Sequence, residues 1–211
     1  MSEFDETNHE EMGLKWYDEK TAQMEEMLGK SHDTVMHSLF PYALGGALDL
    51  YYYPNGIPGT GIATKELSEL PGEGSSNEWY QNYELVMFTK LPLDLEQANN
   101  ENHPFGKIHR RMNGILNCMA RYSAEATLNP GETCEFPEEM EELGGGCLIF
   151  DAYRDREDET DFGLLVLIEV YREEMELARK LGSQVLLDLL KSKGHYPYSD
   201  LDRAPVVENV S

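Results

Sequence analysis

The sequence predicts an α+β fold in which a mixed β-sheet packs against helices. Three observations lead there. Short runs rich in β-branched and aromatic residues recur along the chain, and an amphipathic helical pattern from Pro104 to Ala126 interrupts them. Helical and strand patterns also fail to alternate one for one, as a doubly wound parallel fold would require. No internal repeat or low-complexity linker divides the 211 residues. The expected organisation is a single domain, with a tail and amphipathic helix over 1–30 packing on the core formed by 31–211.

The elements follow in order. Between Glu11 and Lys30, Met12, Trp16, Met24, Met27 and Leu28 fall near helical spacing, and Gly29 is a natural stop. This helix should lie on a sheet. Val35 to Phe40 and Leu48 to Tyr53 are the first two strands, the second ended by Pro54-Asn55-Gly56. The consecutive Tyr51, Tyr52 and Tyr53 suit a strand covered on both faces. Gly61 to Lys65 and Tyr83 to Lys90 are the third and fourth strands. The helix from Pro104 to Ala126 is expected to be the longest, with Ile108, Met112, Ile115, Met119 and Tyr122 on one face and Pro104 in its first turn. Cys134 to Phe136, Cys147 to Tyr153 and the almost wholly apolar Phe162 to Val170 are further strands, the last at the sheet centre. Arg172 to Leu181 and Gln184 to Lys193 are helices split by Gly182, and the tail from Tyr196 to Arg203 is expected to add a short strand.

Charge narrows the function classes. With 17 Lys and Arg against 40 Asp and Glu, the formal net charge is −23. Such a field repels phosphate backbones and anionic lipid surfaces while attracting basic partners, so neither nucleic acid nor membrane is an expected partner. Cys118, Cys134 and Cys147 are odd in number and widely spaced, without the pairing of zinc or redox motifs. They read as reduced thiols. The acidic opening MSEFDETNHE has no signal-peptide pattern, and no apolar run approaches a membrane span. A cytoplasmic setting without metal or cofactor is expected.

The segment from Ile62 to Gly74 enters a polar, glycine-rich loop from a strand, and Asn82 to Thr89 leaves it as another. A rigid scaffold presents recognition loops in this way. Four stretches then resemble the suppressor of fused (SUFU) domain. They are Ile62 to Gly74 into Tyr83-Glu84-Leu85; Leu116 to Glu132 around Met119-Ala120-Arg121-Tyr122; Phe162-Gly163 through Val170 into Glu173 to Leu177; and Val185 to Leu190 into Asp200 to Arg203. Together they run in the family's order from about residue 45 to 205.

The resemblance implies a SUFU-like sandwich that binds protein without catalysis. Animal members sequester zinc-finger transcription factors, and bacterial members are regarded as immunity proteins that neutralise toxins. This chain lacks the C-terminal domain of the animal proteins, which points to a bacterial single-domain member. The implied partner is a protein, a basic toxin fitting the charge, and oligomeric state is open. In the family, the loop after the leucine-serine-acidic-leucine motif supplies an acidic residue to the ligand site. That motif is Leu67-Ser68-Glu69-Leu70 here, and the acid matches Glu73 after Gly72.

Each candidate has a plainer alternative. The acidic runs from Glu138 to Glu142 and from Asp155 to Asp161, the latter with Asp155 and Glu157, could grip a basic partner or be solvated turns. Tyr51, Tyr53, Trp79 and Tyr80 could anchor a partner. The strand tyrosines fit a core better, whereas Trp79 and Tyr80, beside a polar loop, are expected to be exposed. Lys107, Arg110, Arg111 and Arg121 are expected to pair with the protein's own carboxylates. Glu84 reads as a polar-face residue. A hydrolase would need groups such as Glu84, His109, Asp151 and Glu169 to converge, yet no spacing fixes a nucleophile to a base. An adaptor taking a peptide along a sheet edge is a further alternative.

Overall fold

The computed structural model describes residues 3–39, 42, 45–153 and 160–207. Its centre is a seven-stranded sheet. The strands are β1 (Val35–Met36), β2 (Leu50–Tyr53), β3 (Thr60–Ala63), β4 (Tyr80–Thr89), β5 (Thr133–Glu135), β6 (Cys147–Ala152) and β7 (Thr160–Val170). Their spatial order is β1-β2-β3-β4-β7-β6-β5. Neighbours pair antiparallel except β4 and β7, which run parallel with Glu84 opposite Leu164 and Val86 opposite Val166. The sheet is therefore mixed, and the fold is α+β.

β4 and β7 sit at the middle and are buried on both faces, which helices cover. On one face, Val86, Phe88, Leu164, Val166 and Ile168 meet α1 (Glu3–Leu28), α3 (Arg172–Leu181) and α4 (Ser183–Ser192). On the other, Tyr83, Leu85, Met87, Leu165 and Leu167 meet α2 (Pro104–Ser123). Strand alternation sends successive side chains to opposite layers, so each strand contributes to two cores.

Several boundaries differ from the sequence expectation. The longest helix is α1, with 26 residues against 20 in α2. The acidic segment taken as tail continues the helix, with no proline to stop it. It contacts the sheet through Trp16, Met24, Met27 and Leu28, while Met12 is exposed. Strand β1 is only two residues long, and Phe40 lies outside the described residues. Helix α2 opens as expected at Pro104, with the His103 ring accepting from the Phe105 amide at 3.3 Å. Tyr122 leaves its buried face and is 50% exposed.

The C-terminal tail forms a single parallel bridge from Tyr198 to Phe88 in place of a strand. Side chains hold it. Buried Glu174 accepts from Arg203 at 2.5 and 2.8 Å and from the Val206 amide at 2.7 Å. Burial alone would raise the Glu174 carboxyl, but these donors and the Tyr171 amide reverse that and hold it below its usual range.

Gly163 on β7 makes room for the Tyr80 ring, because a Cβ there would lie 2.2 Å from a ring carbon. Gly163→Ala should cost about 1–3 kcal/mol in urea unfolding, and an unchanged midpoint would contradict this packing. On α2, His109 is buried and stacks on Phe105, and its Nε2 lies 2.9 Å from the Tyr52 hydroxyl. Burial lowers its pKa, with Ala98 opposing. The unfolded chain therefore takes up this proton first, and stability should fall as pH drops from about 6.5 towards the lower folded value. His109→Gln should flatten that part of the stability profile between pH 7.5 and 5.5; an identical slope would reject the assignment.

Candidate functional site

The loop between β3 and β4 is braced from beneath by a buried ion pair. Lys20 and Glu84 are 1% and 0% exposed. The Lys20 ammonium donates to Glu84 Oε1 at 2.9 Å and to the carbonyls of Lys65 and Ser68, each at 2.7 Å. Glu84 also accepts from the Thr64 hydroxyl at 2.7 Å and the Leu67 amide at 3.2 Å. Helix α1, the end of β3, the loop entrance and β4 thus converge on one pair of charges. Glu84 is therefore not a solvated polar-face residue.

Further contacts fix the loop itself. The Ser75 amide donates to the Leu67 carbonyl at 3.1 Å and closes the neck. Gly74, at φ +88°, lies where a Cβ would fall 2.0 Å from that carbonyl. Asn82, only 1% exposed, fills the interior: it accepts from the Gly72 amide at 2.7 Å and donates to the Glu73 carbonyl at 2.6 Å. The Trp16 indole donates to the Ser68 hydroxyl at 3.2 Å.

This bracing divides the candidate residues. Leu67, Ser68 and Leu70 are 6%, 4% and 6% exposed, so the first half of the motif faces inward. Glu69, Gly72 and Glu73 are exposed at the surface. Trp79 is 49% exposed, whereas Tyr80, expected outside with it, is buried at 5% over Gly163. Asn77 causes the difference, since its Oδ1 accepts from both the Trp79 and Tyr80 amides at 2.9 Å and forces a turn. An open cavity of about 540 Å³ lies here, lined by Gly72, Glu78, Trp79 and Asp161 among others. Asp155 and Glu157 lie outside the described residues.

Of the basic residues on α2, Arg110 and Arg111 pair with carboxylates, whereas Arg121 donates to the Gly46 carbonyl at 3.4 Å. Arg111 bonds Glu169 at 3.0 Å, Arg110 reaches Glu101 and Glu142, and Arg172 reaches Glu138 at 3.0 Å. The acidic turn from Glu138 to Glu142 is thus partly neutralised by the protein itself. Tyr53 is core at 1% exposure, and Tyr51 is half-buried. The hydrolase candidates do not converge. Glu84 is bound to Lys20 and Asp151 lies 3.6 Å from Lys191, both on the face of α1 and α4; Glu169 and His109 are engaged on the α2 face. No helix among the described residues is long and apolar enough to cross a membrane.

The sequence does carry a signal for the brace. Trp16, Lys20, Met24 and Leu28 recur at intervals of four, which puts Lys20 in the apolar stripe of α1, while Glu84 interrupts an otherwise apolar strand. A buried cation and a buried anion then require each other. Lys20→Met alone should cost about 3–5 kcal/mol, because it strands the Glu84 charge. Lys20→Met with Glu84→Gln should recover most of that loss in urea unfolding. A double variant as unstable as the two single losses summed would contradict the pairing.

No protein-family model and no curated protein matches the chain. Solved structures do match its fold. The Sufu-Fu complex crystal structure aligns at TM-score 0.60 and 18% identity over 92% of both chains. Drosophila Suppressor of Fused aligns at TM-score 0.59 and 18% identity over 92% of this chain and 51% of that one, so this chain spans about half its length. A SUFU homolog from Neisseria gonorrhoeae FA 1090 aligns at TM-score 0.59 and 9% identity, over 92% of this chain and 98% of its own. The seven-stranded mixed sheet and its helices therefore have the suppressor-of-fused fold.

Proposed function

We propose that this chain is a non-catalytic protein-binding module of immunity type, which neutralises a basic toxin by covering its surface. The observation that carries this reading is the braced loop. Glu69, Gly72 and Glu73 stand exposed on a backbone held by Lys20, Glu84 and Asn82, with Trp79 exposed nearby. A preformed loop loses little conformational entropy when it docks, and a half-exposed tryptophan is a favoured anchor residue. The net charge of −23 would accelerate encounter with a basic partner. One structural neighbour is a complex of Sufu with Fu, which supports a protein ligand for the fold.

Inhibition on this reading is steric and electrostatic, and requires no chemical step. Glu69 and Glu73 would face cationic side chains of the partner, and Trp79 would take an aliphatic or cationic stem. Asp155 and Glu157 would add to the charge that meets the partner in this proposal.

Expression of the chain should protect cells from a toxin encoded beside its gene, and the two purified proteins should form a complex. Within that complex, Trp79→Ala should weaken affinity by about 30-fold or more, the effect of a 2 kcal/mol anchor. Glu69→Gln with Glu73→Gln should slow association and flatten its dependence on salt, with little change in dissociation. Absence of protection and of any complex with adjacent gene products would overturn the immunity reading. Unchanged binding by these variants would overturn the loop assignment.

A further inference from the structure

A cavity of about 340 Å³ lies between α1, β2 and the segment following β3, away from the exposed Trp79 surface. Trp16, Tyr17 and Tyr51 wall it, Lys65 lines it, and Glu69 stands at its loop side. Two lysines stand near each other here, in different circumstances. Lys20 has the Lys65 and Ser68 carbonyls and the Glu84 carboxylate as acceptors. Lys65 is 4% exposed, and its ammonium donates to the Thr21 hydroxyl at 3.3 Å. It lies over the Tyr51 and Tyr17 rings, 4.3 and 5.4 Å from their centroids. Among the described residues it has no carboxylate at ion-pair distance.

An ammonium has three donors, and leaving them unfilled away from water is costly. The aromatic faces offset part of that cost without accepting a directed hydrogen bond. The two nearest aromatic hydroxyls are turned to each other, Tyr17 donating to Tyr51 at 3.3 Å. Glu66, which also lines the cavity, accepts from the Asp49 amide at 2.7 Å. The cavity therefore combines a buried cation short of acceptors with aromatic walls. Burial also pulls the Lys65 pKa down, with Glu25 and Glu84 opposing, as expected of an ammonium that lacks a close counter-ion.

We propose that this cavity binds a small carboxylate with an aromatic or aliphatic body, its carboxylate accepting from Lys65 Nζ and its body lying against Tyr17, Tyr51 and Trp16. The carboxylate would fill the unused donors with charge-assisted hydrogen bonds. The aromatic walls would cover the apolar part of the ligand. Ser68 and Glu69 of the proposed protein-binding loop also line this cavity, whereas Tyr17, Tyr51 and Lys65 lie outside that loop, so different variants test the two readings.

The test uses the full chain titrated with indole-3-acetate, with uncharged indole-3-acetamide as control, followed by calorimetry and by amide chemical shifts around Lys65. Indole-3-acetate should bind saturably, and the amide at least about tenfold more weakly, since one lost charge-assisted hydrogen bond is worth that much or more. Lys65→Met should abolish acid binding while retaining the far-ultraviolet spectrum, because the carbonyl that Lys20 uses remains. If that variant fails to fold, acid against amide on the native chain still decides the question, as does Tyr51→Phe, which keeps the ring and should keep binding. Equal affinity for acid and amide, or no saturable binding of the acid, would overturn the proposal.

Discussion

The Lys20 ammonium and the Glu84 carboxylate lie 2.9 Å apart with essentially no solvent contact, and the arrangement of the β3–β4 loop depends on them. Neither charge is tolerable there alone, and each also satisfies backbone groups at the loop entrance. The pair links an N-terminal helix to a strand 64 residues later. It therefore acts as a register device. Helix α1 has one seat on the sheet where Lys20 meets Glu84, and in that seat Trp16 reaches both Ser68 and Phe162. The loop is set by the helix packing beneath it.

The same pattern recurs through this acidic protein. Glu174 is buried against Arg203 and fastens the C-terminal tail to α3, and Glu169 is buried against Arg111 and fastens β7 to α2. Several of the scarce basic side chains are thus committed to internal carboxylates. The consequence is functional as well as structural, because the outer surface is left with a large excess of acid. Glu69 and Glu73 in the loop share that surface with a half-exposed Trp79. Attraction of a basic protein is the behaviour such a surface favours.

Much of the architecture was legible in the sequence for definite reasons. The run from Phe162 to Val170 in β7 is almost continuously apolar, which marks a central strand covered on both faces. Pro104 and Gly29 mark helix ends because one lacks an amide hydrogen and the other accepts left-handed backbone. The loop was harder. Nothing in the order Leu67-Ser68-Glu69-Leu70 distinguishes inward from outward side chains, since a loop has no period to project. Tyr80 was expected beside Trp79 at the surface, and only the pairing of β4 with β7 shows that it needs the space above Gly163. Glu84 looked like a polar-face residue because its partner is distant in sequence and itself passes for an ordinary surface lysine. A charge within an apolar stripe is the signal that could have found both.

The exposed acids are presented on a loop that is already ordered in the isolated protein. Amide hydrogen exchange on the isolated protein tests this most directly. The Leu67, Gly72 and Ser75 amides, which donate to Glu84, Asn82 and Leu67, should show protection of about 100-fold or more over an unstructured peptide. In Lys20→Met the same amides should lose protection before those of β7. Exchange of all three at unstructured-peptide rates in the native protein would show that the loop is not preformed.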